Sequence, residues 1–356
     1  MTGSEHVADL RRRLGEIDAE LLALAAERIR IGRAVGEAKL QDGLPTVDYA
    51  QERVVLDRAR AAARQVGLAE PVAEDLLAGL IRASVTAQEA DRVRGAAVGT
   101  GKRAVVIGGA GRMGAWFAEF LAALGYRTAV VDPATSALEN ERGRAGLGDA
   151  DLVLCATPPR VTADLYATWC AAPPRGVVCD IASIKTPIVA PIARLRAAGA
   201  RVASIHPMFG PGTLLLRDAD VVVCDTGDYE ARALVEALFA PTTARLVRLP
   251  LAEHDRVMAD LLALAHATAI GFALALPAAD HPVRSTTFQA LERIAAGVVR
   301  ESPAVYYEIQ AANPHAAAAV TRLRAALDRL ADAVAGHDAA GFAALMAEGA
   351  RRTPGT

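Results

Sequence analysis

Two stretches of this 356-residue chain carry chemistry-bearing residues directly after short apolar runs: Asp180-Ile-Ala-Ser183-Ile-Lys185 and Ser204-Ile-His206-Pro207-Met208-Phe209-Gly210-Pro211. Both therefore sit at the carboxyl ends of strands, the edge at which open α/β sheets bind ligands. A histidine there is suited to act as general base, because its charge changes near neutral pH, and the nearby Ser183 would orient it. Upstream, Ala-Val-Val-Ile-Gly108 reads as a strand, and Gly109-Ala-Gly111-Arg112-Met113-Gly114 leads straight into a helix over Ala115–Leu124. An acid, Asp132, closes the second strand. That context makes the glycine pattern a dinucleotide site, with Arg112 and Met113 in the same turn. Gly109 would permit the tight turn, Gly111 the approach of the pyrophosphate, and Gly114 close helix–strand packing. Asp132 would accept from the adenosine ribose hydroxyls and repel a 2′-phosphate, which points to NAD rather than NADP.

A third feature lies in the first helix. Residues 7–41 contain no proline, and Leu10, Leu14, Ile17, Leu21, Leu24, Ile31 and Val35 recur on an alternating four-three spacing, the seam of a coiled coil. Position 28 belongs to that seam and is Arg28. A charge on a buried stripe is costly unless paired. Arg28 therefore reads either as a guanidinium that snorkels or pairs structurally, or as part of an anion site lined by helices. A helix of about 34 residues is roughly 50 Å long, longer than a domain of about 95 residues is wide. It should pack against a second copy.

The elements that must position these residues follow from the breaks. Gly43-Leu44-Pro45 ends the first helix, Asp48 begins a second, and Pro71 lies near the start of a third. Arg94–Lys102 is small and flexible in composition. Apolar runs then alternate with helical stretches at Ala104–Ile107, Arg127–Val131, Leu152–Ala156, Val177–Cys179, Val202–Ile205 and Val221–Cys224. Strands of this kind, buried on both faces, indicate a doubly wound, Rossmann-type parallel sheet. From about Ala252 the pattern is helical to the end. The expected architecture is α, then α/β, then α. Residues 1–94 form a helical domain, 95–102 a linker, 103–250 a nucleotide-binding domain and 251–356 a helical dimerisation and substrate domain.

Composition restricts the function. With 53% hydrophobic residues and 22% charged the chain is a folded protein, and a net charge of −2 without a long basic run excludes nucleic acid or an anionic membrane as a bulk electrostatic partner. The expected partner is a small molecule. Cys155, Cys170, Cys179 and Cys224 show no C-x-x-C pair and no histidine at metal-ligand spacing, so no metal site is expected and a reducing cytoplasm fits. The amino terminus lacks the basic-then-apolar pattern of a secretory signal. Leu261–Ala279 is nearly long and apolar enough to span a bilayer, but it carries His266 and ends near Pro277, and reads as a helix buried in an oligomer core.

The block from Gly109 to Pro211, with its glycine turn, D-x-x-S-x-K strand end and H-P-M-F-G-P loop, resembles the prephenate dehydrogenases. The likeness continues through Glu253-His254-Asp255, His266 and Ser302-Pro303-Ala-Val-Tyr306. It implies that His206 deprotonates the C4 hydroxyl of the substrate as hydride leaves C4 for NAD, that Ser183 shares a hydrogen bond with His206, and that His266 lies near substrate and nicotinamide. It also implies a dimer built from the carboxyl-terminal helices. The chain departs at Gly297, where the family usually presents an arginine for the ring carboxylate; Arg293 and Arg300 share that helix face.

Residues 6–92 resemble the all-α chorismate mutases. Arg11, Arg28, Lys39, Asp48, Glu52, Ser84 and Gln88 stand where that family places its ligand-binding residues. The resemblance implies that Arg28, with Arg11 from the partner subunit, clamps two carboxylates. Lys39 and Gln88 would donate to the breaking ether, and Glu52 with Asp48 would meet the C4 substituent. Gln51 departs from an arginine common in the family, and loss of that cation would suit a C4 amine. The sequence thus leaves three readings open. One is a bifunctional mutase and dehydrogenase acting on chorismate and prephenate. Another has the same two steps acting on their 4-amino-4-deoxy analogues. The third is a dehydrogenase with a non-catalytic helical sensor.

Overall fold

The structure is a computed structural model and describes residues 3–277 and 282–353, apart from the side chains of Glu5, Leu138 and Arg142. Three helices come first: α1 (Gly3–Gln41), α2 (Tyr49–Val66) and α3 (Glu70–Ala96). Asp48 caps α2 by accepting the Gln51 N–H at 3.0 Å. Along one chain the α1 seam stays exposed, with Leu14 at 59% and Leu24 at 67%. Two glycines that weaken a helix in isolation explain how α1 meets α3. A Cβ on Gly32 would lie 2.9 Å from the Ser84 side chain, and one on Gly36 2.5 Å from Gln88 Cγ. The spacing of four on one helix matches the spacing of four on the other.

The stretch expected to be a flexible linker is tied down. Val93, near the end of α3, is buried in the core of the sheet domain. The Gly99 N–H donates to Leu124 O at 2.8 Å. A Cβ on Gly99 would overlap the Tyr126 ring. Lys102 Nζ turns back to Val98 O at 3.0 Å.

The α/β region runs β1 (Arg103–Ile107), α4 (Arg112–Ala123), β2 (Arg127–Val131), α5 (Ala137–Gly146), β3 (Leu152–Cys155), α6 (Pro159–Trp169), β4 (Val177–Asp180), α7 (Thr186–Ala197), β5 (Arg201–Pro207), β6 (Asp220–Asp225), α8 (Tyr229–Phe239) and β7 (Arg245–Pro250). The sheet order is β2-β1-β3-β4-β5-β6-β7. The first five strands pair parallel, but β6 runs antiparallel to β5, with His206 opposite Val222, and β7 pairs parallel to β6. A crossover helix is needed only for parallel neighbours, so the β5–β6 loop, 208–219, is free to leave the sheet and return. The strand β7 was not expected: its apolar residues alternate with Arg245 and Arg248, the pattern of a half-covered edge rather than a buried run.

The carboxyl-terminal region comprises α9 (Leu251–Met258), a π-helical turn over Ala259–Leu264, α10 (Ala265–Ala275), α11 (Thr286–Val299), α12 (Pro303–Ala311), α13 (Ala316–Ala335) and α14 (Ala339–Arg352). From Leu251 to Ala275 the chain is continuously helical and apolar enough to cross a membrane by length and composition, with 22% of its most apolar window buried. The helical part of the expected 261–279 segment ends at Ala275, and residues 278–281 lie outside those described.

Candidate active sites

The nucleotide turn is built on close approach. Gly108 takes a left-handed conformation, φ +82, so the tight turn belongs to it rather than to Gly109. Gly109 is glycine for another reason: a Cβ there would lie 2.6 Å from Val130 Cγ1. A Cβ on Gly114 would sit 2.1 Å from Gly108 O, whereas on Gly111, the amino cap of α4, it would meet only that same oxygen, at 3.2 Å. The cradle therefore fits a pyrophosphate approaching the amino end of α4. Asp132 holds the turn from β2, accepting the Ala110 N–H at 3.2 Å and the Ala134 N–H at 2.9 Å. Two expected cofactor residues are otherwise engaged. Arg112 Nη1 donates to both carboxylate oxygens of Glu301, at 2.9 and 2.7 Å, tying the turn to the carboxyl-terminal region. The Met113 side chain packs into the sheet core.

At the end of β5, His206 is buried and its Nδ1 lies 3.0 Å from Nε2 of His254 on α9. His254 Nδ1 lies 2.7 Å from Asp255 Oδ1. The Lys185 and Thr186 backbone N–H groups also donate to Asp255, at 2.8 and 2.7 Å, as does the Thr186 hydroxyl at 2.6 Å. Burial alone would raise the Asp255 pKa, but hydrogen bonds from His254, Thr186 and the backbone outweigh it and hold the carboxyl at about 2. An ionised Asp255 accepts a hydrogen bond from His254 Nδ1–H, leaving His254 Nε2 as an acceptor. His206 must then carry its hydrogen on Nδ1, and its Nε2 keeps a free lone pair. Burial, followed by the neighbouring His254 and Lys185, pushes the His206 pKa well below that of an ordinary histidine, so the ring is neutral.

The partner of His206 is thus His254, not Ser183. The Ser183 hydroxyl makes no hydrogen bond among the described residues, whereas His254 holds His206 Nδ1. Lys185 acts below the site: fully buried, its Nζ donates to Asp180 Oδ1 at 2.6 Å and to Ile205 O at 2.7 Å, pinning the strand immediately before His206. His266, on α10, packs its ring 4.5 Å from that of Tyr306, and its buried Nδ1 has no partner among the described residues. Burial lowers its pKa. Gly297 has open space around it.

The three amino-terminal helices line an open cavity of about 310 Å3. Arg28, Lys39, Asp48, Glu52, Ser84 and Gln88 all line it, with Gln51. The charge in the seam is thereby explained: Arg28 Nη1 donates to Ser84 Oγ at 3.4 Å, and Ser84 Oγ to Leu80 O at 2.9 Å. Gln88 Nε2 donates to Gly32 O at 2.7 Å, while its buried Oε1 has no partner among the described residues. Arg11 is exposed on α1 and does not line the cavity of its own chain. Glu52 is held by a residue that sequence reasoning missed, Arg217 of the β5–β6 loop, at 2.8 and 2.7 Å.

Residues 10–89 match the family model for type II chorismate mutases, and residues 128–248 match that for the nucleotide-binding domain of prephenate dehydrogenases. The T-protein of Enterobacter agglomerans is 31% identical over 75% of this chain and 70% of its own. The 4-amino-4-deoxyprephenate dehydrogenase of Streptomyces pristinaespiralis is 34% identical over 69% of this chain and 89% of its own. In fold, the chain resembles a prephenate dehydrogenase from A. aeolicus solved with hydroxyphenyl propionate and NAD+, with a TM-score of 0.55 and 17% identity over 70% of this chain and 96% of that one. The chain belongs to the T-protein family and is an enzyme that joins a chorismate mutase unit to a prephenate dehydrogenase unit that binds a nicotinamide dinucleotide.

Proposed function

We propose that the amino-terminal unit rearranges chorismate to prephenate and that the remainder converts prephenate to 4-hydroxyphenylpyruvate with NAD. The observation that carries this reading is the gathering of Arg28, Lys39, Glu52, Ser84 and Gln88 on one cavity, in a chain whose other half holds a neutral buried histidine base. The rearrangement is unimolecular and needs no base or nucleophile. Cations that hold two carboxylates in a compact conformer, and donors at the breaking ether, suffice. Arg28 and Lys39 supply such cations, and Arg11 of a second copy completes the clamp.

For the second step, His206 Nε2 takes the proton of the C4 hydroxyl, while Asp255, through His254, keeps that nitrogen unprotonated beforehand. The glycine turn Gly109–Gly114 at the amino end of α4 would hold the dinucleotide, which would supply the acceptor for the hydride of C4. The electron pair of the C1–carboxylate bond enters the ring and ends on the C4 oxygen as CO2 departs, that oxygen takes back the proton held by His206, and the gain in aromaticity makes the step effectively irreversible. Asp132 beside the glycine turn supports NAD over NADP.

A homodimer fits the exposed α1 seam and the apolar helix through Leu251–Ala275, each of which leaves apolar surface that a second copy would cover. The four free cysteines suit a reducing cytoplasm.

A second reading replaces the C4 hydroxyl by an amine in both substrates. Asp48 favours it: its carboxylate accepts only the Gln51 N–H among the described residues, and residue 51 is neutral. The likeness to a 4-amino-4-deoxyprephenate dehydrogenase supports it as well. Turnover of chorismate and 4-amino-4-deoxychorismate by the same enzyme separates the two, since preference for the hydroxyl substrate in both halves eliminates the amine. For the division of labour, Lys39→Ala should lose mutase turnover and keep dehydrogenation of supplied prephenate. An unchanged mutase rate would refute the assignment.

A further inference from the structure

Glu52 lines the mutase cavity from α2, yet its carboxylate is held by both terminal nitrogens of Arg217, 165 positions away in the dehydrogenase half. The two side chains are 19% and 16% exposed. The loop is built to deliver this guanidinium. Leu216 is buried and its N–H donates to Glu89 at 2.9 Å. Glu89, one residue beyond the cavity's Gln88, also accepts the Thr243 N–H at 2.6 Å and the Thr243 hydroxyl. The Tyr49 ring lies under the Arg217 guanidinium, 4.8 Å from ring centre to Cζ, and its hydroxyl donates to Asp218 at 3.3 Å. Asp218 itself is left-handed at φ +62, a conformation that a residue other than glycine holds only where its surroundings enforce it. Farther back, Trp116 Nε1 anchors the same loop at Thr213 O, 3.0 Å away.

We propose that Arg217 is a positioning residue of the mutase, contributed by the dehydrogenase domain. Asp48, the amino cap of α2, and Glu52 in its first turn are four residues apart and would repel one another in the cavity. The Arg217 fork neutralises one of the two and fixes the plane of the Glu52 carboxylate, leaving its remaining lone pairs to meet the C4 substituent. The mutase site is therefore incomplete without the loop that follows His206. This inference rests on Glu52 being a substrate-facing residue of the mutase.

The test uses full-length Arg217→Ala, Arg217→Lys, Glu52→Gln and the Arg217→Ala/Glu52→Gln double variant. Arg217→Ala should lower mutase kcat/KM by about tenfold or more, with partial recovery in Arg217→Lys. Dehydrogenation of supplied prephenate should stay within about twofold in each variant. In the Glu52→Gln background, Arg217→Ala should cost nothing further. Loss in Glu52→Gln with none in Arg217→Ala would overturn the role of Arg217 alone. Equal losses from Arg217→Ala in both backgrounds, or a fall in both activities that Arg217→Lys does not restore, would overturn it too. Full mutase activity in Glu52→Gln would remove the role of Glu52 and the proposal with it.

Discussion

His206 Nδ1 lies 3.0 Å from His254 Nε2, and the far nitrogen of His254 lies 2.7 Å from Asp255, so one carboxylate sets the tautomer of both rings. The relay crosses from β5, the last of the first five parallel strands, to α9, and therefore also fixes how the carboxyl-terminal region sits on the sheet. Asn313 adds to this by donating to Asp255 O at 2.8 Å.

Removing the middle of the relay should damage catalysis more than folding. In His254→Ala the His206 ring keeps its strand but loses the acceptor that aims it. We expect dehydrogenase kcat to fall on the order of 100-fold, with KM for prephenate little changed. Steady-state kinetics on supplied prephenate checks this. A His254→Ala enzyme with unaltered kcat would show that the relay does not orient the base.

The pH dependence follows from the same groups. Burial lowers the pKa of both His206 and His254, so each is neutral in the folded chain at pH values where an exposed histidine would begin to charge. The acid limb of dehydrogenase kcat/KM should therefore lie below the ordinary histidine value of about 6.5. Stability follows the same sign. Below about 6.5 the unfolded chain binds protons that the buried rings refuse, so stability is lost as pH falls through that range. Asp255, held at about 2, contributes stability above the ordinary carboxyl value and loses it only in stronger acid. Thermal melts should show Tm falling from pH 7 to 5; a Tm that rises would contradict the assignment of neutral buried histidines.

Helix packing in the mutase offers a separate handle. Gly36→Ala improves intrinsic helix propensity by up to about 1 kcal/mol, yet its Cβ would fall 2.5 Å from Gln88 Cγ. Gln88 must then move out of the cavity. The variant should lose on the order of 100-fold in mutase kcat/KM while keeping dehydrogenase activity. Normal mutase kinetics would mean that the position of Gln88 is immaterial.

What the sequence made legible was local. The glycine turn, the strand ends bearing Asp180 and His206, and the helical register of Arg28 with Lys39 or Ser84 with Gln88 are encoded in spacings of a few residues, and the structure gathers the latter four on one cavity. Pairings across the chain left no such trace. His254 is 48 residues from His206 and Arg217 is 165 from Glu52, and neither separation corresponds to any helical or strand period. Ser183 and His206 lie at neighbouring strand ends, which is all that local spacing shows, whereas the acceptor on His206 Nδ1 comes from α9. The reversal of β6 was hidden because a strand buried on both faces reads alike in either direction, and β7 because Arg245 and Arg248 interrupt its apolar run. Arg112 sat in the right turn, but its ion pair with Glu301 depends on the connection between α11 and α12, 189 residues away.

Both sites are claimed for one polypeptide, and the most direct measurement follows both products from a single substrate. Purified enzyme given chorismate and NAD should consume chorismate and release CO2, NADH and 4-hydroxyphenylpyruvate in equal amounts, with His206→Asn halting the sequence at prephenate. Chorismate left intact, or prephenate accumulating in the unmodified enzyme without NADH, would contradict the account.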